Sequence, residues 1–326
     1  MAGPIIALRG VAKDFVVTTR AGRLRRSRTT VRAVDDLSLT IERGSMVGYI
    51  GPNGAGKSTT VKLCTGILVP TAGHVEVAGV DPVRARPALA RRIGVVFGQR
   101  TQLWWDLPLR DSFQLLRHIY RVPADRHRAN ATRFVELLDI GPFLDTPVRQ
   151  LSLGQRMRGE LAAALLHDPE ILFLDEPTIG LDLVSKDAVR RFLLSLNQVD
   201  GVTVLLTTHD LVDVERLSDR LLIVDRGRII EDSTVADIKA RHGVHRTLVV
   251  DLEEPRAPLA VAGTEVVRVE GRRQWLRFSR DDHTAAAVLA AVAAVAPVRD
   301  LSIEDTPIEE IVRHIYAGTS EAPPVP

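Results

Sequence analysis

A glycine-rich run, Gly51-Pro52-Asn53-Gly54-Ala55-Gly56-Lys57-Ser58, lies between the apolar pentad Met46–Ile50 and a stretch of helical periodicity from Lys57 to Leu68. Placed between a strand and a helix, such glycines let the backbone curl around an anion with its N–H groups inward. The helix N-terminus adds partial positive charge. Lys57 is then in reach of β- and γ-phosphates, and the Ser58 hydroxyl, followed by Thr59, stands where a Mg²⁺ ion is ligated. A second block supplies carboxylates. Asp175 and Glu176 follow Ile171–Leu174, four apolar residues suited to a strand buried on both faces. Acids at the carboxyl end of such a strand sit where open α/β sheets take their ligands. One can hold the water shell of a metal ion and the next can polarise an attacking water.

Shortly before that strand, Leu151-Ser152-Leu153-Gly154-Gln155 opens a helical stretch running through Leu166. Ser152 and the N–H groups near Gly154 make a second candidate anion site. The pentad resembles the signature motif of ATP-binding-cassette (ABC) proteins, and further blocks fall in that family's order. Gln99, within Val95-Val96-Phe97-Gly98-Gln99, is similar to the Q-loop. Gly180-Leu181-Asp182 is similar to the D-loop, and His209, after Val204–Thr208, to the H-loop. Phe15 lies where the family usually places an adenine-stacking aromatic, although by residue type it serves as well in a core. The resemblance covers about residues 5–240. Two departures stand out: Leu153 replaces a common glycine of the signature, and Phe15 replaces the commoner tyrosine. Neither removes one of the charges or hydroxyls named above for the phosphate and metal sites.

The resemblance implies an α/β fold, a P-loop NTPase core of the ABC type with a helical subdomain, and it implies ATP and Mg²⁺. Gly51, Pro52, Asn53, Gly54, Ala55, Gly56, Lys57, Ser58 and Thr59 would cradle the nucleotide, with Phe15 on the base. Ser58, Gln99 and Asp175 would surround the metal. Glu176 would be the general base, a role typically worth ~10²–10⁴ in rate. His209 would contact the γ-phosphate, and Gln99 would sense the metal and the attacking water. Ser152, Gly154 and Gln155 would face a partner's γ-phosphate in a head-to-tail dimer, and Asp182 would link the two sites.

Strand-like segments near Ile5–Arg9, Met46–Ile50, Val75–Ala78, Ile93–Phe97, Ile171–Leu174, Val202–Thr207 and Leu221–Val224 alternate with helical stretches. That alternation predicts an α/β core with parallel strands. Between Gln99 and Gln155 only helices are predicted, at Asp111–Tyr120, Ala129–Leu138 and, from Gly154, through Leu166. This matches a helical subdomain at about residues 100–166. A strand pair, Arg220–Asp225 and Arg228–Asp232, turns through Arg226-Gly227. After about Lys239 the texture changes to short strands, an alanine-rich helix over His283–Val295 and a last helix ending near Ala317-Gly318. Thr306-Pro307-Ile308-Glu309 reads there as a capping box. The expected domains are 1–241, a small α+β accessory domain at 242–317 for dimer support or regulation, and a flexible tail at 318–326.

Composition narrows the class. The 326 residues suit one large domain and one small one. Basic and acidic residues nearly cancel, 43 against 41, so no global field points to nucleic acid. The single cysteine, Cys64, argues against a disulfide framework and reads as a small core residue. No N-terminal stretch resembles a signal peptide. The longest apolar tract, Ala285–Val298, is too short to span a bilayer. The expectation is a cytoplasmic protein, peripheral on the inner face of the membrane through a partner.

Two surface features bear on that partner. Thr18–Val34 carries six arginines (20, 23, 25, 26, 28 and 32) and no acid. It reads as a solvated hairpin or loop, a contact with anionic headgroups, or a nucleic-acid contact. Trp104-Trp105-Asp106-Leu107-Pro108 puts two of three tryptophans in one segment after the Q-loop, where the family docks a coupling helix. A helical-subdomain core could instead absorb one of them. The reading is an ATPase subunit of a two-component ABC exporter, a homodimer or half of a heterodimer under separately encoded transmembrane permease subunits. The rival is a soluble ABC ATPase acting on ribosomes or nucleic acid. A single phosphate loop and the lack of long heptad insertions count against it.

Overall fold

The computed structural model describes residues 3–20, 26–98 and 100–320. Gln99, Arg23 and Arg25 lie outside the described residues, as do the side chains of Arg20 and Arg26 and residues 321–326 of the expected tail. The chain divides into two compact units, Met1–Asp232 and Ser233–Pro326, a boundary nine or so residues earlier than the sequence reading placed it.

The first unit runs β1 (Ile6–Arg20), β2 (Arg26–Ile41), β3 (Met46–Ile50), α1 (Lys57–Cys64), β4 (Ala72–Val77), α2 (Arg86–Ala90) and β5 (Ile93–Phe97). It continues through α3 (Leu109–Tyr120), α4 (Ala124–Leu137), α5 (Leu153–Leu165), β6 (Ile171–Asp175), α6 (Leu183–Asp200), β7 (Thr203–Thr207), α7 (Leu211–Leu217), β8 (Arg220–Asp225) and β9 (Arg228–Thr234). Six strands form one sheet in the order β5-β6-β7-β3-β8-β9, parallel from β5 through β8. Alternate residues of β6 feed two cores. Leu172 and Leu174 join one built with the helices, and Ile171 and Phe173 join another with β1, β2 and β4. Burial on both faces explains why these strands read as unbroken apolar runs.

The structure corrects the all-parallel expectation. The first and third predicted strands, now β1 and β4, belong to a separate antiparallel sheet of order β2-β1-β4. Of the hairpin and loop readings of the arginine-rich insertion, the described residues show the hairpin: β1 and β2 pair antiparallel out to Arg20 opposite Arg26. Polar and basic composition hid a strand whose backbone is satisfied by its own hairpin partner. Helix α1 stops at Cys64, short of Leu68, because Gly66 turns the chain with φ +72°, and a Cβ there would lie 2.3 Å from the Pro82 carbonyl oxygen. The Arg226-Gly227 turn has positive φ at both residues, 46° and 80°, the geometry of a tight hairpin turn of primed type. Cys64 is buried and free, and burial pushes its thiol up to about 12.

The second unit holds α8 (Val235–His242), β10 (His245–Leu252), β11 (Thr264–Glu270), β12 (Arg273–Ser279), α9 (Ala285–Val295), β13 (Val298–Asp305) and α10 (Ile308–Ser320). Its antiparallel sheet, β11-β12-β10-β13, buries Leu248, Val250, Leu276 and Phe278 with Val288 and Val292 of α9. This is the small α+β domain expected. The Thr306 hydroxyl donates to the His245 carbonyl at 2.6 Å, and the last helix begins two residues later, at Ile308. That helix also runs beyond Gly318. Among the described residues no helix is long and apolar enough to cross a membrane.

Candidate active site

The loop between β3 and α1 is shaped by close approaches that only glycine permits. A Cβ on Gly51 would sit 2.5 Å from the Val224 carbonyl oxygen, and one on Gly56, at φ +100°, 2.4 Å from that of Ala33. Gly56 occupies the N-cap of α1 without any side-chain cap, leaving backbone donors at the mouth of the loop. Lys57 is buried, and its Nζ donates to the carbonyls of Gly51 at 2.6 Å and Pro52 at 3.2 Å. Burial lowers its pKa from the usual lysine range, while Glu176 and Asp175 pull the other way. Phosphate oxygens arriving in the loop would favour the ammonium form.

Register then brings distant residues onto the same spot. β6 and β7 run parallel with Asp175 opposite Thr207. Asp175 Oδ1 accepts from Thr207 Oγ1 at 2.5 Å and from Ser58 Oγ at 3.1 Å. Hydroxyl and carboxylate oxygens at one point are the donor set of a hard cation, so these residues fit Mg²⁺. The sequence places Thr207 just before the H-loop-like His209 without giving it a role; its one signal there is a hydroxyl at the end of a buried strand. Glu176 follows with its N–H on the Thr207 carbonyl at 2.9 Å. Its Oε2 accepts from His209 Nδ1 at 2.7 Å and from the His209 backbone N–H at 3.4 Å. Beside them a cavity of about 360 Å³ is lined by Ser58, Lys62, Phe97, Gly98, Asp175 and Glu176, among others.

Lys57, Ser58, Asp175, Glu176 and His209 therefore form one constellation at the carboxyl ends of β3, β6 and β7. The signature residues make contacts of their own. Ser152 caps α5, its Oγ accepting from Gln155 N at 3.2 Å, while Gln155 Oε1 accepts from Ser152 N at 2.9 Å. The serine hydroxyl hydrogen is left to donate elsewhere. Asp182 caps α6 through Ser185 N and Oγ, at 2.9 and 2.8 Å, and these bonds hold its carboxyl below the usual range. A Cβ on Gly154 would lie 2.5 Å from Ser185 Oγ, and one on Gly180 would lie 2.8 Å from Leu153 Cδ2. The N-termini of α5 and α6 are thus neighbours, and Leu153 packs against the D-loop-like turn. Phe15 lies half-buried on β1 opposite Val31 with Lys13 Nζ 5.2 Å from its ring, and belongs to neither core. Trp104 and Trp105 both reach the surface, 36% and 48% exposed, and the Arg156 guanidinium lies 5.7 Å from the Trp105 ring.

The family model described as ABC transporter matches residues 34–179. A daunorubicin resistance ATP-binding protein of Streptomyces coeruleorubidus is 37% identical over 289 residues, 87% of this chain and 91% of that protein. A methionine import ATP-binding protein of Enterococcus faecalis is 34% identical over 238 residues, covering 72% and 66%. Among solved structures, an ATP-binding cassette captured as a post-hydrolysis dimer with ADP and Pi matches with a TM-score of 0.61 at 26% identity. The match covers 71% of this chain and 98% of that one.

Proposed function

The chain belongs to the ABC transporter family as an ATP-binding, ATP-hydrolysing subunit, and from that premise we propose that it powers an exporter through separately encoded membrane subunits. The observation that carries this reading is the convergence of Lys57, the Ser58–Asp175 pair and the Glu176–His209 pair on one spot. The signature serine and Asp182 instead cap the neighbouring helices α5 and α6. A site so divided is completed by a second protomer, whose Ser152, Gly154 and Gln155 would meet the γ-phosphate while Asp182 links the two halves.

The chemistry follows from the contacts. His209 Nδ1 moves from Glu176 to the γ-phosphate when ATP enters, and the freed carboxylate accepts a proton from water. The water oxygen attacks the γ-phosphorus, the bond to the β-phosphate oxygen breaks, and ADP and phosphate result. Lys57 stabilises charge on the transferring group. Mg²⁺, held by Ser58 and Asp175 with Gln99 expected beside them, would neutralise charge between the β- and γ-phosphates. Phe15, exposed on one face, would stack on the adenine.

Export is supported by the resistance protein, whose 289 matched residues exceed the 232 of the first unit and so run into the second. Trp104 and Trp105, both at the surface, would dock a membrane subunit, and the arginines between β1 and β2 would meet anionic headgroups. These contacts would keep the protein on the inner face of the membrane. Mild extraction of the tagged protein from native membranes should recover a polytopic membrane protein with it. Ribosomes or nucleic acid recovered in its place would retain the ATPase and reject transport.

A further inference from the structure

Glu176 holds a backbone conformation that residues with side chains rarely adopt. Its φ is +57°, and Pro177 after it narrows the accessible backbone further. Such a residue persists only where the surroundings over-determine it. Upstream, Gly98 N–H donates to the Asp175 carbonyl at 2.7 Å. Downstream, the chain is pinned two residues later. Thr178 Oγ1 donates to Asp213 Oδ2 at 2.5 Å, and Asp213 Oδ1 accepts from the Arg190 guanidinium. All three side chains are buried. Arg190 comes from α6, which follows Asp182, and Asp213 from α7, which follows His209.

We propose that Thr178, Asp213 and Arg190 form a positioning triad for hydrolysis, fixing Glu176 in its left-handed backbone and setting His209 against it. The proposal rests on Glu176 as the general base. A buried ion pair has to satisfy its remaining lone pairs to be tolerated, and here the acceptor left over is filled from the segment that carries the base. Bracing α6 to the start of α7 needs no such hydroxyl, since Lys186 and Asp210 already do so at 2.6 Å. The Thr178 bond is the one that reaches the reacting residue's own chain segment. Asp213 thereby ties three segments together: the exit of β6, the helix after Asp182 and the helix after His209.

Thr178→Val removes the hydroxyl at nearly constant volume, and Thr178→Ser returns it. In full-length protein, Thr178→Val should lower kcat roughly tenfold, about 1.4 kcal/mol in the barrier, the scale of one hydrogen bond to a charged group. KM for ATP should stay unchanged, Tm should fall slightly as the buried Asp213 oxygen loses its donor, and Thr178→Ser should recover most of the rate and of the Tm. In a Glu176→Gln background, Thr178→Val should change the residual single-turnover rate by less than about twofold, because both substitutions act through one carboxylate. Wild-type kcat in Thr178→Val overturns the proposal. An equal tenfold loss in both backgrounds, or a fall in Tm that Thr178→Ser does not repair, reduces the triad to a packing brace and also overturns it. Full turnover by Glu176→Gln alone would reject the base assignment, and the triad's role with it.

Discussion

A carboxylate that acts as a base must first release its resting partner, and the Glu176 carboxylate has one in His209 Nδ1. In the proposed mechanism the same contact would keep Glu176 satisfied until a γ-phosphate competes for the imidazole. Glu176→Gln should therefore lower kcat by ~10²–10⁴ while leaving ATP binding intact. Paired turnover and nucleotide-binding measurements check this, and unchanged turnover would move the base elsewhere. At this scale much was legible from the chain alone. Lys57 and Ser58 are contiguous with the loop they serve, and Asp175 and Glu176 end an apolar run. Thr207, Thr178 and Asp213 were not legible. A threonine or aspartate announces nothing until strand register and helix packing choose its partner.

Among the elements, α5 carries an unusual burden. Glu160 on this helix is buried and accepts from the Thr101 hydroxyl and from Gln102 N. Gln102 Nε2 also donates to the Glu160 carbonyl. Burial holds the Glu160 carboxyl above the usual range despite these bonds. The folded chain thus keeps a proton that the unfolded chain gives up earlier. Stability from this group is complete below the ordinary carboxylate pKa and is lost as pH rises toward the raised one. Glu160→Gln, which cannot ionise, should raise Tm at neutral pH by a few degrees, on the order of 2–4 °C per kcal/mol. The gain should vanish near about pH 4. A thermal-unfolding series across pH checks both, and a gain independent of pH would mean the effect is packing. Elements were harder to read where tertiary contacts override local signals. Gly66 shortens α1 because the Pro82 backbone lies against it. The polar ribbon of β1 and β2 is a strand pair because each satisfies the other's backbone.

At the scale of the molecule, two surfaces would mediate work on a partner. Trp105→Ala should leave ATP binding and basal hydrolysis unchanged yet abolish most of the transport-coupled turnover in membranes containing the partner; wild-type coupling would reject the docking role. Replacing the ribbon arginines with glutamine should weaken recruitment to anionic vesicles more than soluble ATPase activity, and the reverse ordering would place them in the catalytic machinery. The sequence by itself determined the family and the phosphate chemistry, because a cradle for phosphate is built by neighbouring residues in one strand–loop–helix unit. It also determined the order of the blocks and the presence of a second α+β unit. The tertiary structure alone decided which hydroxyls meet Asp175, why Glu176 stands at a positive φ, and that β1, β2 and β4 form their own antiparallel sheet. Those outcomes depend on pairing between segments far apart in the chain, where shifting a strand by one residue changes every partner.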